Sequence, residues 1–203
     1  MIIAVANLKG GTGKTTTSIN LIHHLKPKMI IELDIHLGIS NVNRMRTEPL
    51  SIEVPKTKDQ LNSLLKKAKH HAQTTIIDCG GYDSDLTRIA ILNADIVITP
   101  SSDEVTEQFG LNQFNGTLKA MSDASDKQVK AHVLLNRVHH SRRAFKGLQS
   151  LIDSLDHVEL IDEVRIPQHT SITKAMFKGR AVTSGTIPPK YERLSKFIQE
   201  QTQ

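Results

Sequence analysis

The chain has 203 residues, with 26 Lys and Arg against 21 Asp and Glu, a formal net charge of +5, one cysteine and no tryptophan. At that length one domain over 1–203 is the natural organisation, burying about seven-tenths of its unfolded surface in a core of Ile, Leu, Val and Ala. The composition excludes an internal disulfide, since Cys79 stands alone, and a membrane span, since no apolar run approaches about 18 residues.

In chain order, short Ile- and Val-rich runs alternate with helical patterns, the arrangement of βαβ units around a parallel sheet. The first run, Ile2–Ala6, enters Asn7-Leu8-Lys9-Gly10-Gly11-Thr12-Gly13-Lys14-Thr15-Thr16. That is a phosphate cradle. Gly10, Gly11 and Gly13 let the backbone curl so that its N–H groups point inward. Lys14 reaches the β- and γ-phosphates, the Thr15 hydroxyl can ligate Mg²⁺, and the following helix, Lys14–Leu25, adds the partial charge of its N-terminus. A lone cysteine, and an opening apolar run that lacks a basic lead and ends at once in this loop, point to a cytoplasmic protein.

The next strand, Met29–Leu33, ends in Glu32-Leu33-Asp34. Asn41–Thr57, with Pro49, Pro55 and mixed polarity, reads as an irregular excursion over the surface. In the helix Lys58–His70, Leu61, Leu64, Leu65 and Ala68 form one packing stripe and leave Lys66, Lys67 and Lys69 in water. Strand Thr75–Asp78 carries an acid at its tip, followed by Cys79-Gly80-Gly81. This is a Walker B pattern, in which Asp78 organises the water shell of a nucleotide-bound metal. Helices over Asp83–Asn93, Val105–Met121, Ser141–Leu155 and Pro189–Gln201 alternate with strands Ile96–Thr99, Ala131–Leu135 and Val158–Ile161. In the last helix Tyr191, Leu194, Phe197 and Ile198 face inward. The whole reads as a doubly wound α/β domain, a mostly parallel sheet with helices on both faces, whose ligands sit beyond the carboxyl ends of the strands.

The ordinary loop G-x-x-x-x-G-K-[ST] would have glycine at position 8; this chain has Leu8, and a second lysine, Lys9, opens the loop. Lys9–Thr16 thereby resembles the deviant Walker A signature of the ParA/MinD family of ATPases. The resemblance implies a P-loop NTPase fold that uses ATP and Mg²⁺, and a homodimer in which Lys9 crosses to the partner's nucleotide. It places Glu32 and Asp34 at the family's Asp-x-Asp-Pro switch, with Glu for the first acid and Ile35 for the proline; Asp34, the surviving second acid, would hold the catalytic water near the metal. It gives Asn136, with Arg137 beside it, and the Pro167 loop to the adenine. An Asn amide offers the donor and acceptor that an adenine edge needs; a turn Asn and a turn Pro are the alternative.

The stretch Ile166–Val182, with its loop, helix and Lys178-Gly179-Arg180 turn, looks like the short partition ATPases that lack an N-terminal helix-turn-helix. The resemblance then implies ATP-dependent dimers that bind double-stranded DNA without sequence preference, associate with the nucleoid, and release DNA when a ParB-like centromere-binding protein stimulates hydrolysis. Charge placement supports DNA separately. Lys127–Ile152 holds six Lys and Arg and no acid, and Lys174–Lys196 holds six more against Glu192. On a helix over Ser141–Leu155, Arg142 and Lys146 lie one turn apart, away from Phe145 and Leu148. Arg142, Arg143, Lys146, Lys174, Lys178 and Arg180 are the candidate phosphate contacts, a solvated helix face being the bland alternative. No aromatics interleave, which argues against single-strand stacking.

Other readings are weaker. A MinD-like membrane ATPase would end in a basic amphipathic helix, whereas Lys196–Gln203 is polar with Glu200, so no membrane is expected. A cluster-binding P-loop protein needs more than one cysteine. A small-molecule kinase has no use for Lys9. The adjacent pairs His23-His24, His70-His71 and His139-His140 cannot face one metal, Cys79 has no spaced base, and there is no G-x-S-x-G elbow.

Overall fold

The computed structural model describes residues 1–71, 74–142 and 144–202. Its strands are β1 (Ile2–Val5), β2 (Met29–Glu32), β3 (Thr75–Asp78), β4 (Ile96–Ser101), β5 (Ala131–Val138) and β6 (Val158–Pro167). They form one sheet in the order β2-β3-β1-β4-β5-β6, every pairing parallel. The helices are α1 (Lys14–Leu25), α2 (Gly38–Asn43), α3 (Lys58–His70), α4 (Asp85–Asn93), α5 (Val105–Ser125), α6 (Lys146–Asp153), α7 (Thr170–Met176) and α8 (Pro188–Gln201).

Period-two alternation sends β1 side chains to opposite faces. Ile2 and Ala4 join one core with α3, α4, α5 and α6, while Ile3 and Val5 join another with α1, α2, α7 and α8. The doubly wound α/β arrangement is therefore as the alternation implies, and the chain order reverses direction between β1 and β4. That reversal opens a crevice beyond their carboxyl ends.

Three departures matter for function. The excursion after β2 begins with a helix, α2, too short to show a stripe. It continues in a loop bracketed by Asn43, whose amide donates to Leu50 O at 2.9 Å and whose oxygen accepts from Leu50 N at 2.8 Å. The helix expected over Ser141–Leu155 starts only at Lys146, because His139 and Ser141 close a turn through their side chains at 2.8 Å and Phe145 is drawn into the core. Arg142 and Lys146 thus share no helical face. Finally, β6 is much longer than Val158–Ile161. A register shift against β5 between Leu160 and Arg165 absorbs the acids Asp162 and Glu163, so Ile161, Val164 and Ile166 all reach the core.

Candidate functional site

β1 passes the chain to Asn7, a buried side chain whose Nδ2 donates to Pro100 O at 3.0 Å while its Oδ1 accepts from Lys9 N at 2.9 Å. The loop is thereby anchored to β4 across the crevice. Gly13 caps α1 at φ 98°, in the left-handed region, and a Cβ there would lie 2.2 Å from Asn136 Nδ2. Only glycine meets both conditions. Asn136 donates to Thr12 O at 2.8 Å. Arg137, itself at φ 58°, donates to Gly11 O and, at 2.8 Å, to Glu107 of α5. The end of β5 thus braces the loop from behind, with Asn136 and Arg137 both touching the cradle.

Inside the curve lies a cavity of about 630 Å³ lined by Gly10, Gly13, Lys14, Thr15, Asp34 and Gly81, among others. Lys14 is nearly buried and donates to Lys9 O at 2.9 Å; burial lowers its pKa, against the attraction of Asp78 and Asp34. Asp78, fully buried at the tip of β3, accepts from Thr15 Oγ1 at 2.9 Å and from Ser18 Oγ at 2.7 Å. Burial pushes its carboxyl up to about 7, although both hydroxyls favour the ionised form. The same burial raises the Cys79 thiol, which makes it a packing residue and no nucleophile. Asp34 borders the cavity, its carboxylate accepting from His36 N at 2.9 Å.

Two lysines leave the loop in different directions. Lys9 is absent from the cavity wall and donates to Thr106 Oγ1 on α5 at 2.7 Å. Glu32 does not enter the cavity either. Wholly buried, it accepts from Ile39 N at 2.6 Å, from Ser40 N at 3.1 Å and from the Ser40 hydroxyl, and so caps α2. Gly38, at the start of α2, is held so close to Thr15 that a Cβ would lie 2.8 Å from its hydroxyl.

The residues fit a metal-bound nucleoside triphosphate. The cradle admits no added Cβ at Gly13, and the Thr12 hydroxyl is buried without a partner beside it. Thr15 with the Asp78 and Asp34 carboxylates supplies the oxygen donors that Mg²⁺ prefers. Ser18 was legible as the i+3 neighbour of Thr15 on α1; no sequence signal marks Thr106, Glu107 or Ser40. Pro167 ends β6 opposite Val138, on the same edge of the sheet as Asn136.

The candidate DNA contacts do not form one surface. Arg142 is paired with Asp103 and lies 5.6 Å from the Phe145 ring centroid, and Lys146 opens α6. Lys174 lies in the last turn of α7, with Lys178 and Arg180 just after it, and α7 packs on the other face of the sheet. Arg143 falls outside the described residues. Of the remaining basic runs, Lys130 pairs with Glu159 and Lys196 with Glu192.

Known proteins agree with this geometry. The family model for the CobQ/CobB/MinD/ParA nucleotide binding domain matches residues 3–182. Septum site-determining protein MinD of Buchnera aphidicola subsp. Baizongia pistaciae (strain Bp) is 26% identical over 224 residues, covering 89% of this chain and 83% of that protein. A putative plasmid partition protein from Borrelia burgdorferi B31 bound to AMPPNP superposes with a TM-score of 0.69 at 17% identity, covering 98% of each chain. MinD complexed with Mg-ADP from Pyrococcus horikoshii OT3 superposes equally well, at 0.69 and 16% identity, over 98% of this chain and 96% of that one. With the cradle, the strand-tip acid and a family match over most of its length, the chain belongs to the CobQ/CobB/MinD/ParA nucleotide-binding family, which includes the ParA and MinD ATPases.

Proposed function

We infer that the chain is a DNA-partition ATPase: it dimerises on ATP, holds duplex DNA without reading its sequence, and releases it after hydrolysis stimulated by a ParB-like partner. The observation that carries this reading is the divergence of the two lysines. Lys14 serves the chain's own cavity, while Lys9, parked on Thr106, needs only to leave that hydrogen bond to reach a second protomer. A monomeric nucleotide enzyme has no use for such a residue. When bound, Mg²⁺ supplies charge neutralisation to the β- and γ-phosphates. Thr15 and Asp78 hold the metal site, Lys14 neutralises phosphate charge, and Asp34 orients the attacking water. A dimer doubles the basic surface, so ATP controls DNA affinity through valency.

The MinD relative supports a second reading, a membrane-associated positioning ATPase. Among the described residues no helix is long and apolar enough to cross a membrane. Sedimentation with ATP, alongside retention on random duplex DNA and pelleting with anionic vesicles, separates the two. The expected result is an ATP-dependent dimer that is retained on DNA and lost in Lys9→Ala, which still binds ATP. A parent that pellets with vesicles and ignores DNA overturns the partition reading.

A further inference from the structure

A groove of about 350 Å³ lies between the C-terminal turn of α1, the start of β2, the loop after α2 and the turn after α7. Five cationic or titratable side chains line it: His23, Lys26, Lys28, Arg46 and Arg180. They come from three separate stretches of sequence, so no single charge run announces them. Its walls contain no carboxylate, and among the described residues none of the five takes part in an ion pair. This contrasts with the α6 side, where Arg142 is already paired with Asp103. Glu192, on α8, pairs with Lys196, and the backbone carbonyl of Glu48 accepts from Arg46 Nε at 3.2 Å.

The groove is built, not a loose cluster. Arg46 Nη1 donates to Gly179 O at 2.9 Å, across 133 positions of sequence. Gly179 sits at φ 68°, and a Cβ there would lie 2.8 Å from the backbone of both Met45 and Arg46. The two walls are therefore seated directly on one another. Lys26 adds a second sign. It occupies the left-handed position that ends α1, at φ 46° and ψ 56°, where glycine or asparagine is the unstrained choice. Strain kept in a charged, exposed residue is the kind of outlier that points to use.

We propose that this groove, rather than the α6 surface, is where the protein grips the phosphate backbone of duplex DNA. The inference rests on the partition reading above and deepens it by naming the contact surface. Cations spread along a recess without acids match a line of phosphates, and sequence-blind binding follows because none of them needs to reach a base edge. A lipid surface is the competing occupant. Phe177 and Met45 stand exposed beside the same seam, but two isolated apolar side chains on a charged rim fall short of the continuous apolar face that interfacial helices insert.

The test compares Lys26→Gly with Lys28→Ala against Arg142→Ala with Lys146→Ala, each in the full chain with ATP, on random duplex DNA across a salt series. Lys26→Gly removes charge while relieving backbone strain, so the groove variant should melt at or above the parent temperature. The expected result is at least about tenfold weaker DNA binding for the groove variant. Its slope of log affinity on log salt should also be shallower by about two. The α6 variant should stay within about twofold of the parent. A parent that binds DNA with an unaltered groove variant overturns the groove and leaves the partition reading standing. A parent that ignores DNA overturns the partition reading itself. A parent that pellets with phosphatidylglycerol vesicles through Lys26 and Lys28 gives the groove to lipid and overturns the proposal.

Discussion

The phosphate cradle and the α2–α7 seam make opposite uses of the chain. In the cradle, ten consecutive residues, Asn7–Thr16, set the shape, and the rest of the fold only braces it through Asn136 and Arg137. At the seam, no local string means anything by itself. Arg46 and Gly179 meet only because α2 and α7 pack on the same face of the sheet. The cradle is written contiguously, whereas the groove proposed for a long and repetitive polyanion is assembled from scattered parts. The two regions are joined by α2, whose first residue abuts Thr15, whose amides are capped by Glu32, and whose following loop carries Arg46.

The largest effect that would break this comparison lies in the cradle. Lys14→Ala removes a nearly buried ammonium on the cavity wall, the proposed charge-assisted contact to phosphate. ATP affinity should fall by about a hundredfold or more, while the fold survives. Calorimetric titration checks it, and near-parental binding would mean that the cavity is not a phosphate site. Next comes the seam. Gly179→Ala forces a side chain into a left-handed backbone and against the Met45–Arg46 peptide, so the protein should lose about 2 kcal/mol of stability in urea. Its ATP affinity should stay close to the parent's, because nothing in the cradle touches Gly179. If instead both fall together, the two regions are one cooperative unit.

What was legible follows the same division. The alternation of Ile-rich runs and helical stripes specifies a doubly wound sheet, and Lys9–Thr16 with Asp78 can be placed from their own residues. α2 was hidden because six residues cannot show a stripe, and because its N-terminus is completed by Glu32, a residue whose position otherwise suggests the metal. α6 was read too long because Phe145, Leu148 and Ile152 do keep helical spacing, while the His139–Ser141 turn that delays the helix has no period at all. The pattern over Val158–Ile161 stops short of the end of β6 because an irregularity there puts consecutive acids where alternation demands an apolar residue. Charge runs were the least informative signal: Arg142, Lys130 and Lys196 are matched by acids brought in by the fold or by the next helical turn, and Lys26, Lys28 and Arg46 acquire meaning only in three dimensions.

The smallest effect sharpens the contrast by changing the solvent variable. The seam's charges are largely exposed and should respond to salt, whereas the cradle holds a fully buried carboxylate and should respond to pH. Asp78 has its carboxyl pushed up to about 7 in the folded chain, from an ordinary value near 3.8, with burial as the leading cause. Between those two values the folded chain binds one proton more than the unfolded chain, so stability falls as pH rises through the window and levels off above it. From pH 6 to pH 8, without nucleotide, this group alone should remove about 1 kcal/mol. Other titrating groups act in the same range, so the useful quantity is the difference between the parent and Asp78→Asn in urea melts at each pH. The substitution should flatten the parent's decline; equal slopes would mean that Asp78 is already ionised and that Thr15 and Ser18 outweigh its burial. In that case the cradle would hold its metal-site charge before any ligand arrives, and MgATP binding near pH 7 would release no proton from it.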